Sequence, residues 1–170
     1  MVLAGLRSGT LEATSDYADG THTSVSLQFR FGDQRGPARS LPALLSRATY
    51  ASPDGDRTVE RLMWGDQTWQ RESGGTWREE HAPQEGVFGS VRPFLPQLAE
   101  ARDAELVTSG AEPELHWVDR PRNADMVLRV DPRGVPKLLR RTAREGGPVL
   151  EVTYTGWNTP VDIPVPPLSP

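Results

Sequence analysis

The stretch from Thr58 to Glu80, TVERLMWGDQTWQRESGGTWREE, constrains the fold more than any other part of the chain. It holds three of the chain's five tryptophans, and turns at Gly65 and at Gly74-Gly75 divide it into three strand-like runs. Glycine readily adopts the positive φ that tight hairpin turns require. A meander this rich in aromatic side chains has to pack one face against apolar material. The stretch therefore predicts an antiparallel sheet with one apolar side, and leaves open whether that side covers a core or a ligand.

Short strand-like runs continue on both sides of this meander. A strand is predicted at 21–31, because apolar and polar residues alternate from Ser24 to Phe31, which is the signature of a half-buried strand. In this run Val25, Leu27, Phe29 and Phe31 share the apolar face. A second alternating run, at 124–131, places Met126, Leu128 and Val130 on one face. Further strands are predicted at 9–17, 44–52, 104–108, 114–119, 124–131, 135–144 and 149–157, and 32–40 is predicted to be a polar loop. Short links between successive strands indicate antiparallel pairing.

The pattern changes to helical spacing after His81. Val87, Val91, Phe94, Leu95 and Leu98 fall on one face of a helix. Pro93 and Pro96 interrupt this pattern, because proline is tolerated only in a first helical turn. We expect a loop or broken helix from Val87, then a short regular helix from about Pro93 to Ala101, lying across the sheet.

These elements predict a mostly β (α+β) fold. About ten strands would form a single strongly curved antiparallel sheet, a half-barrel, because large open sheets twist and curl. The helical segment would be a lid on the concave side. Residues 1–157 would form one domain, and the Pro-rich tail, 158–170, would run extended along an edge or hang free.

Composition removes several classes of function. The net charge of −4 and the lack of a basic aromatic run argue against nucleic-acid binding. The absence of cysteine excludes disulfides and thiol chemistry within this sequence. No run is long enough for a transmembrane helix, and the first residues do not read as a signal peptide.

The sequence shows no recognisable catalytic motif. His22, His81 and His116 lack metal-ligand spacing, and the turn positions explain the scattered aspartates. Arg140-Arg141 is interpreted as a solvated face and a guard of an edge strand. We therefore expect no enzyme, no catalytic or metal-binding residue and no cofactor, although a buried carboxylate pair in a cleft would favour an enzyme instead.

Three segments resemble the bacterial lipoprotein-carrier superfamily, which includes LolA/LolB-like and LppX/LprG-like envelope proteins. They are RLMWGDQTWQRESGGTW, MVLRVDPRGVPKLLRRTAREGG and LEVTYTGWNTPVDIPVP. The resemblance covers most of the chain from Thr58 onward. It implies a half-barrel with an apolar cavity for acyl chains and an extracytoplasmic protein whose signal or membrane segment is absent from this chain. The long N-terminal helix of that superfamily is not matched here.

The preferred hypothesis is a monomeric carrier or holder of a lipid, acyl chain or acylated protein. Its cavity and lid residues would be Val25, Leu27, Phe29, Phe31, Met63, Trp69, Phe88, Val91, Phe94, Leu98, Met126 and Leu128. The alternative is an interaction or sensor domain of the same fold, with a filled core and an envelope-protein partner, within a larger membrane-attached protein. Both remain open here, because Trp64, Trp69, Trp77 and Trp117 are either ordinary sheet residues or cavity lining, and a register shift of one residue would exchange their faces.

Overall fold

The structure is a computed structural model that describes residues 6–32, 41–53, 55–72, 74–81, 83–96, 98, 101, 103–108, 110 and 112–165. Eleven strands are formed by these residues. They are β1 (Ser8–Asp16), β2 (His22–Arg30), β3 (Ala43–Ser52), β4 (Gly55–Trp64), β5 (Gln67–Glu72), β6 (Arg78–Glu80), β7 (Glu105–Val107), β8 (Glu114–Asp119), β9 (Ala124–Val130), β10 (Pro136–Ala143) and β11 (Val149–Trp157). The strands predicted from alternation and turn residues are confirmed to within a few residues. Most of the predicted polar loop at 32–40 lies outside the described residues.

All strands belong to one antiparallel sheet with the order β6-β5-β4-β3-β2-β1-β11-β10-β9-β8-β7. The chain thus makes two meanders, β1 to β6 and β7 to β11, and the pairing of β1 with β11 joins them at the centre. The predicted antiparallel sheet is confirmed. Over the described residues the sheet is open, with β6 and β7 at its edges, and it is not strongly curled.

The strand register gives the sheet one continuous apolar face, called here the core face. Leu11 pairs with Leu27 and Tyr154, and Ala13 pairs with Val152. Because residues opposite each other in an antiparallel pair point to the same side, these contacts extend across the sheet. The buried residues of this face include Leu11, Leu27, Phe29, Leu44, Met63, Trp117, Met126, Leu128, Leu139, Leu150 and Val152.

Short helical elements lie in the described part of the connection between the meanders. The helix α1 spans Gly86–Val91, and a single 3₁₀ turn follows at Arg92–Phe94. Leu95 then takes an extended conformation, with φ −94° and ψ 145°. Proline disfavours the helical conformation of the residue before it, so Pro96 explains this end. The prediction of a regular helix from about Pro93 is therefore wrong for residues 93–96, and residues 97, 99 and 100 of the predicted helix lie outside the described residues.

The tail crosses the opposite face of the sheet, called here the tail face. Asn158 has a left-handed φ of 54° and its side-chain oxygen accepts a 2.7 Å hydrogen bond from the Arg7 main-chain N–H. Beyond this turn, Ile163 is only 3% exposed. It packs in a second cluster with Ala43, Leu62 and Trp69. The prediction that the tail follows an edge or hangs free is wrong for residues 158–165, and 166–170 lie outside the described residues.

Candidate functional site

The core face and the segment that covers it form the candidate site. The covering segment comprises residues 83–96 and 98, and includes α1 and the 3₁₀ turn. Val87 and Val91 are buried in the same cluster as the sheet residues, and Phe94, Leu95 and Leu98 pack against it. The apolar side chains that the sequence pattern placed on one helical face therefore pack against the sheet.

Three specific contacts join the covering segment to the strands. The Tyr154 hydroxyl on β11 donates a 2.6 Å hydrogen bond to the main-chain carbonyl oxygen of Phe94. The Ser90 hydroxyl lies 3.6 Å from the Met63 sulfur on β4. The Phe88 ring lies 5.7 Å from the Phe31 ring, a tilted aromatic contact. The segment is thus held at several points on both meanders.

Most residues predicted to line a cavity meet on this face. Leu27, Phe29, Met63, Val91, Met126 and Leu128 are buried in one cluster, with Val25, Phe31, Phe94 and Leu98 packed against it. Phe88 is 59% exposed, and its ring contacts that of Phe31. The sequence pattern thus located the apolar side chains that the fold brings together.

Trp69 is the exception among the predicted lining residues. Its neighbour Thr68 pairs with Met63, whereas Trp69 pairs with Leu62. Because adjacent strand residues point to opposite faces, Trp69 lies on the tail face rather than beside Met63. There it contacts the Ile163 cluster. The prediction that Trp69 lines the same surface as Met63 is wrong.

The space between the covering segment and the sheet is nearly filled. A cleft lies between Pro93 and Leu95 of the covering segment and Trp117, Met126, Arg141 and Leu150 of the sheet. Its cavity volume is about 10 Å³, about enough for one water molecule. The space as observed is too small for an acyl chain.

The cleft also holds an arginine that sequence reasoning misplaced. Arg141 pairs with Met126 on β9 and with Leu150 on β11, so it belongs to a row of core-face residues. The β10 strand lies between β9 and β11, so Arg140-Arg141 does not guard an edge and that prediction is wrong. The two-residue spacing of Arg141 from Leu139 was the signal that could have revealed it.

Among the described residues, several polar groups outside the core face form local ion pairs. His116 lies 2.9 Å from Glu114, which also accepts hydrogen bonds from Arg129. These contacts, first that of His116 and then that of Arg129, lower the pKa of the Glu114 carboxyl. Within the described residues there is no cluster of three or more metal-ligating side chains. No described helix is long and apolar enough to cross a membrane.

Comparison with known proteins gives no assignment. No protein-family model matches the chain. No curated protein matches it either.

Proposed function

We propose that the protein holds a lipid, an acyl chain or an acylated protein between the core face and the covering segment. The observation that carries the proposal is the way the apolar face is covered. In the described part of the chain, the segment over this eleven-stranded sheet has a six-residue helix and short 3₁₀ turns rather than a second layer of long regular elements. The open sheet would serve as the half-barrel of the lipoprotein-carrier superfamily that the sequence resembles, and the covering segment would be its lid.

Lid movement is physically accessible because α1 is short. Isolated helices shorter than about 12 residues are marginal in water, so α1 depends on its packing against the sheet. That packing comes chiefly from Val87, Val91 and Phe94. An acyl chain offers the same kind of apolar contact to the core face. An acyl chain that enters would therefore replace the apolar contacts of the covering segment with its own. The free energy gained per unit of buried apolar area would be similar in both cases.

An extracytoplasmic location and a monomeric carrier follow from the same proposal. They rest on the resemblance of the turn and strand motifs, since acyl-chain carriers of this type work in the cell envelope. Cell fractionation tests this location directly, and the protein is expected outside the cytoplasm.

A second candidate is an interaction or sensor domain with a filled core. The small cavity favours it, since side chains already occupy the space under the covering segment. Partner contact would then use the sheet edges. On β7, Leu106 is 59% exposed at one edge, which offers a strand for pairing with another chain.

Native mass spectrometry followed by organic extraction separates these candidates. A co-purifying lipid that is released only on denaturation supports the holding function. A protein that stays ligand-free after incubation with phospholipid and acylated peptide supports the filled-core domain instead.

A covalent link between the covering segment and the sheet tests whether the ligand enters beneath that segment. The chain contains no cysteine, so Met63→Cys with Ser90→Cys introduces the only two thiols, at a native contact between β4 and α1. Oxidation of the two thiols to a disulfide should prevent uptake, whereas each single variant treated with the same oxidant should retain it. Equal uptake by the bridged protein would contradict entry under the lid.

A further inference from the structure

The hairpin of β4 and β5 contains buried polar atoms that have no hydrogen-bond partner. Within the part of the chain that the structure describes, these atoms are the Arg61 Nε, the Thr68 Oγ1 and the Trp69 Nε1. Arg61 belongs to β4, and Thr68 and Trp69 belong to β5. Buried polar groups of folded proteins are nearly always hydrogen-bonded, so several unmet ones in a single hairpin call for a physical explanation.

Two of these atoms lie on the core face. In the register of the hairpin, Thr68 is opposite Met63 and Arg61 is opposite Gln70. Met63 belongs to the core face, and residues two apart on a strand share a face. Arg61 and Thr68 are therefore diagonal neighbours on that face, a separation that a long side chain spans. One acceptor placed between them is within reach of both donors.

The neighbouring side chains do not supply this acceptor. Thr68 is 1% exposed, and its hydroxyl is shielded from solvent without a partner among the described residues. Arg61 donates a 3.2 Å hydrogen bond from Nη2 to the Gln70 Oε1, which holds the guanidinium beside β5 and leaves its Nε unused. Burial of a donor without an acceptor costs free energy, and a ligand that brings the acceptor recovers it.

We infer that Arg61 and Thr68 bind the carbonyl oxygen of an acyl ligand whose chain lies along the core face. This inference rests on the proposed function and specifies which atom of the ligand the protein recognises. The carbonyl oxygen of a carboxylate, an ester or an amide has two lone pairs, and two donors on one face match them. A hydrogen bond from a guanidinium is stronger than one between neutral groups, so Arg61 contributes the larger part.

The covering segment contacts the same hairpin. The Ser90 hydroxyl of α1 lies 3.6 Å from the Met63 sulfur, and Met63 is opposite Thr68. Movement of α1 would thus open this part of the core face. Met63 is also paired with Leu44, and Leu44 is paired with Phe29. This row gives an acyl chain that starts at the hairpin a continuous apolar surface towards the centre of the sheet.

Two ligands that differ only in the carbonyl group test the inference. Methyl decanoate and decyl methyl ether have the same length, and only the ester has a carbonyl oxygen. Calorimetry would measure their binding together with that of decanoate. In the unaltered protein the ester should bind about tenfold more tightly than the ether, because a hydrogen bond to a charged group is worth about one such factor. The tighter of decanoate and the ester then identifies the preferred head group as a free acid or an ester.

Thr68→Val provides two measurements with opposite signs. The substitution replaces an unpaired buried hydroxyl with a methyl group of similar shape, so the ligand-free protein should become more resistant to chemical denaturation. The preference for the ester should fall to about threefold and should disappear when Arg61→Met is added. A threonine with a structural role alone would give the reverse result, with lower stability and an unchanged ligand preference.

Thr58→Val is the matched control. Thr58 is also on β4, but its hydroxyl lies 3.1 Å from that of Thr49, so it has a partner. Thr58 alternates with Leu62 on the tail face. Its replacement should lower stability and preserve the preference for the ester. An equal loss of preference in Thr58→Val and Thr68→Val would overturn the inference, because it would indicate a general disturbance of the hairpin.

The remaining outcomes separate the inference from the proposed function. Equal affinity of the unaltered protein for the ester and the ether would overturn the role of Arg61 and Thr68 and keep the apolar site. Lower stability of Thr68→Val would also overturn the inference, because it would show that a buried water molecule already serves the hydroxyl. Failure of every ligand to bind would overturn both the inference and the proposed function.

Discussion

The hydroxyl of Tyr154 donates a 2.6 Å hydrogen bond to the main-chain carbonyl oxygen of Phe94. This contact links β11, at the centre of the sheet, to the 3₁₀ turn of the covering segment. Tyr154 is 6% exposed, so the bond lies away from water and an unpaired partner there is costly. Removal of this one hydrogen bond should therefore weaken the attachment of the covering segment to the sheet.

Tyr154→Phe should loosen the covering segment. The variant keeps the ring but leaves the Phe94 carbonyl unpaired, which costs about 1 kcal/mol, or about fivefold in a local opening equilibrium. Amide hydrogen exchange of residues 87–95 should accelerate by about this factor, while exchange in β1 and β2 stays unchanged. Tyr50→Phe, at an exposed position of β3, is the control. Uniform acceleration throughout the sheet would instead show that the bond stabilises the whole fold.

The same tyrosine should make the protein sensitive to alkali. Burial raises the pKa of the Tyr154 phenol above its ordinary value of about 10. Above that pH the unfolded chain releases the proton and the folded protein retains it, so the stabilisation present below about pH 10 is lost as pH rises. Denaturation between pH 9 and pH 11 should show a steeper loss than in Tyr154→Phe, approaching about 1.4 kcal/mol per pH unit. Identical slopes in the two proteins would contradict this assignment.

The strands were predictable because their determinants are local. Alternation from Val25 to Phe31 and the turn residues between strands define each hairpin without reference to the rest of the chain. The pairing of β1 with β11 is different, since it joins residues about 140 positions apart through register pairs such as Ala13 with Val152. The resemblance to a half-barrel did not provide that central pairing, and the observed sheet is less curled than it implied.

The candidate site was predictable only in its apolar part. Periodicity identified Leu27, Phe29 and Met126, because burial of such side chains is the general rule. Arg141 breaks that rule, and only the register of β10 places it on the core face. Trp69 was assigned to the wrong face because a shift of one residue exchanges the two faces of a strand, and buried side chains occupy both faces of the meander, with Met63 on the core face and Leu62 on the tail face.

The tail should stabilise the sheet through Ile163. This side chain is 3% exposed, whereas Val165, two residues later, is 73% exposed. Ile163→Ala should lower the free energy of unfolding by about 2 to 4 kcal/mol through lost burial and a residual cavity. Val165→Ala should change it by less than about 0.5 kcal/mol. Chemical denaturation of both variants provides the measurement, and equal effects would contradict the packing of the tail on β3 to β5.

Asp131 should make the β9–β10 turn sensitive to acid. The main-chain N–H of Val135 donates a 2.9 Å hydrogen bond to its carboxylate, and Arg133 donates through its main chain and side chain. These contacts, first that of Val135, lower the pKa of Asp131. The stabilisation is therefore present above the unfolded value of about 3.9 and is lost as pH falls through the lower folded value. Asp131→Asn should unfold less steeply with acid than the unaltered protein, and Asp56→Asn, at an exposed position, should not.

A charge at Phe94 should disable the lid. Phe94 is partly buried against the core cluster, so Phe94→Asp places a carboxylate where the covering segment would contact the proposed ligand. The sheet does not depend on this side chain for its strand pairing, and circular dichroism should report an intact fold. The lipid retained per protein after purification should then fall severalfold. Gln84→Asp adds the same charge at an exposed position of the same segment and should retain lipid. A folded Phe94→Asp protein with undiminished lipid would remove the covering segment from the mechanism of ligand retention.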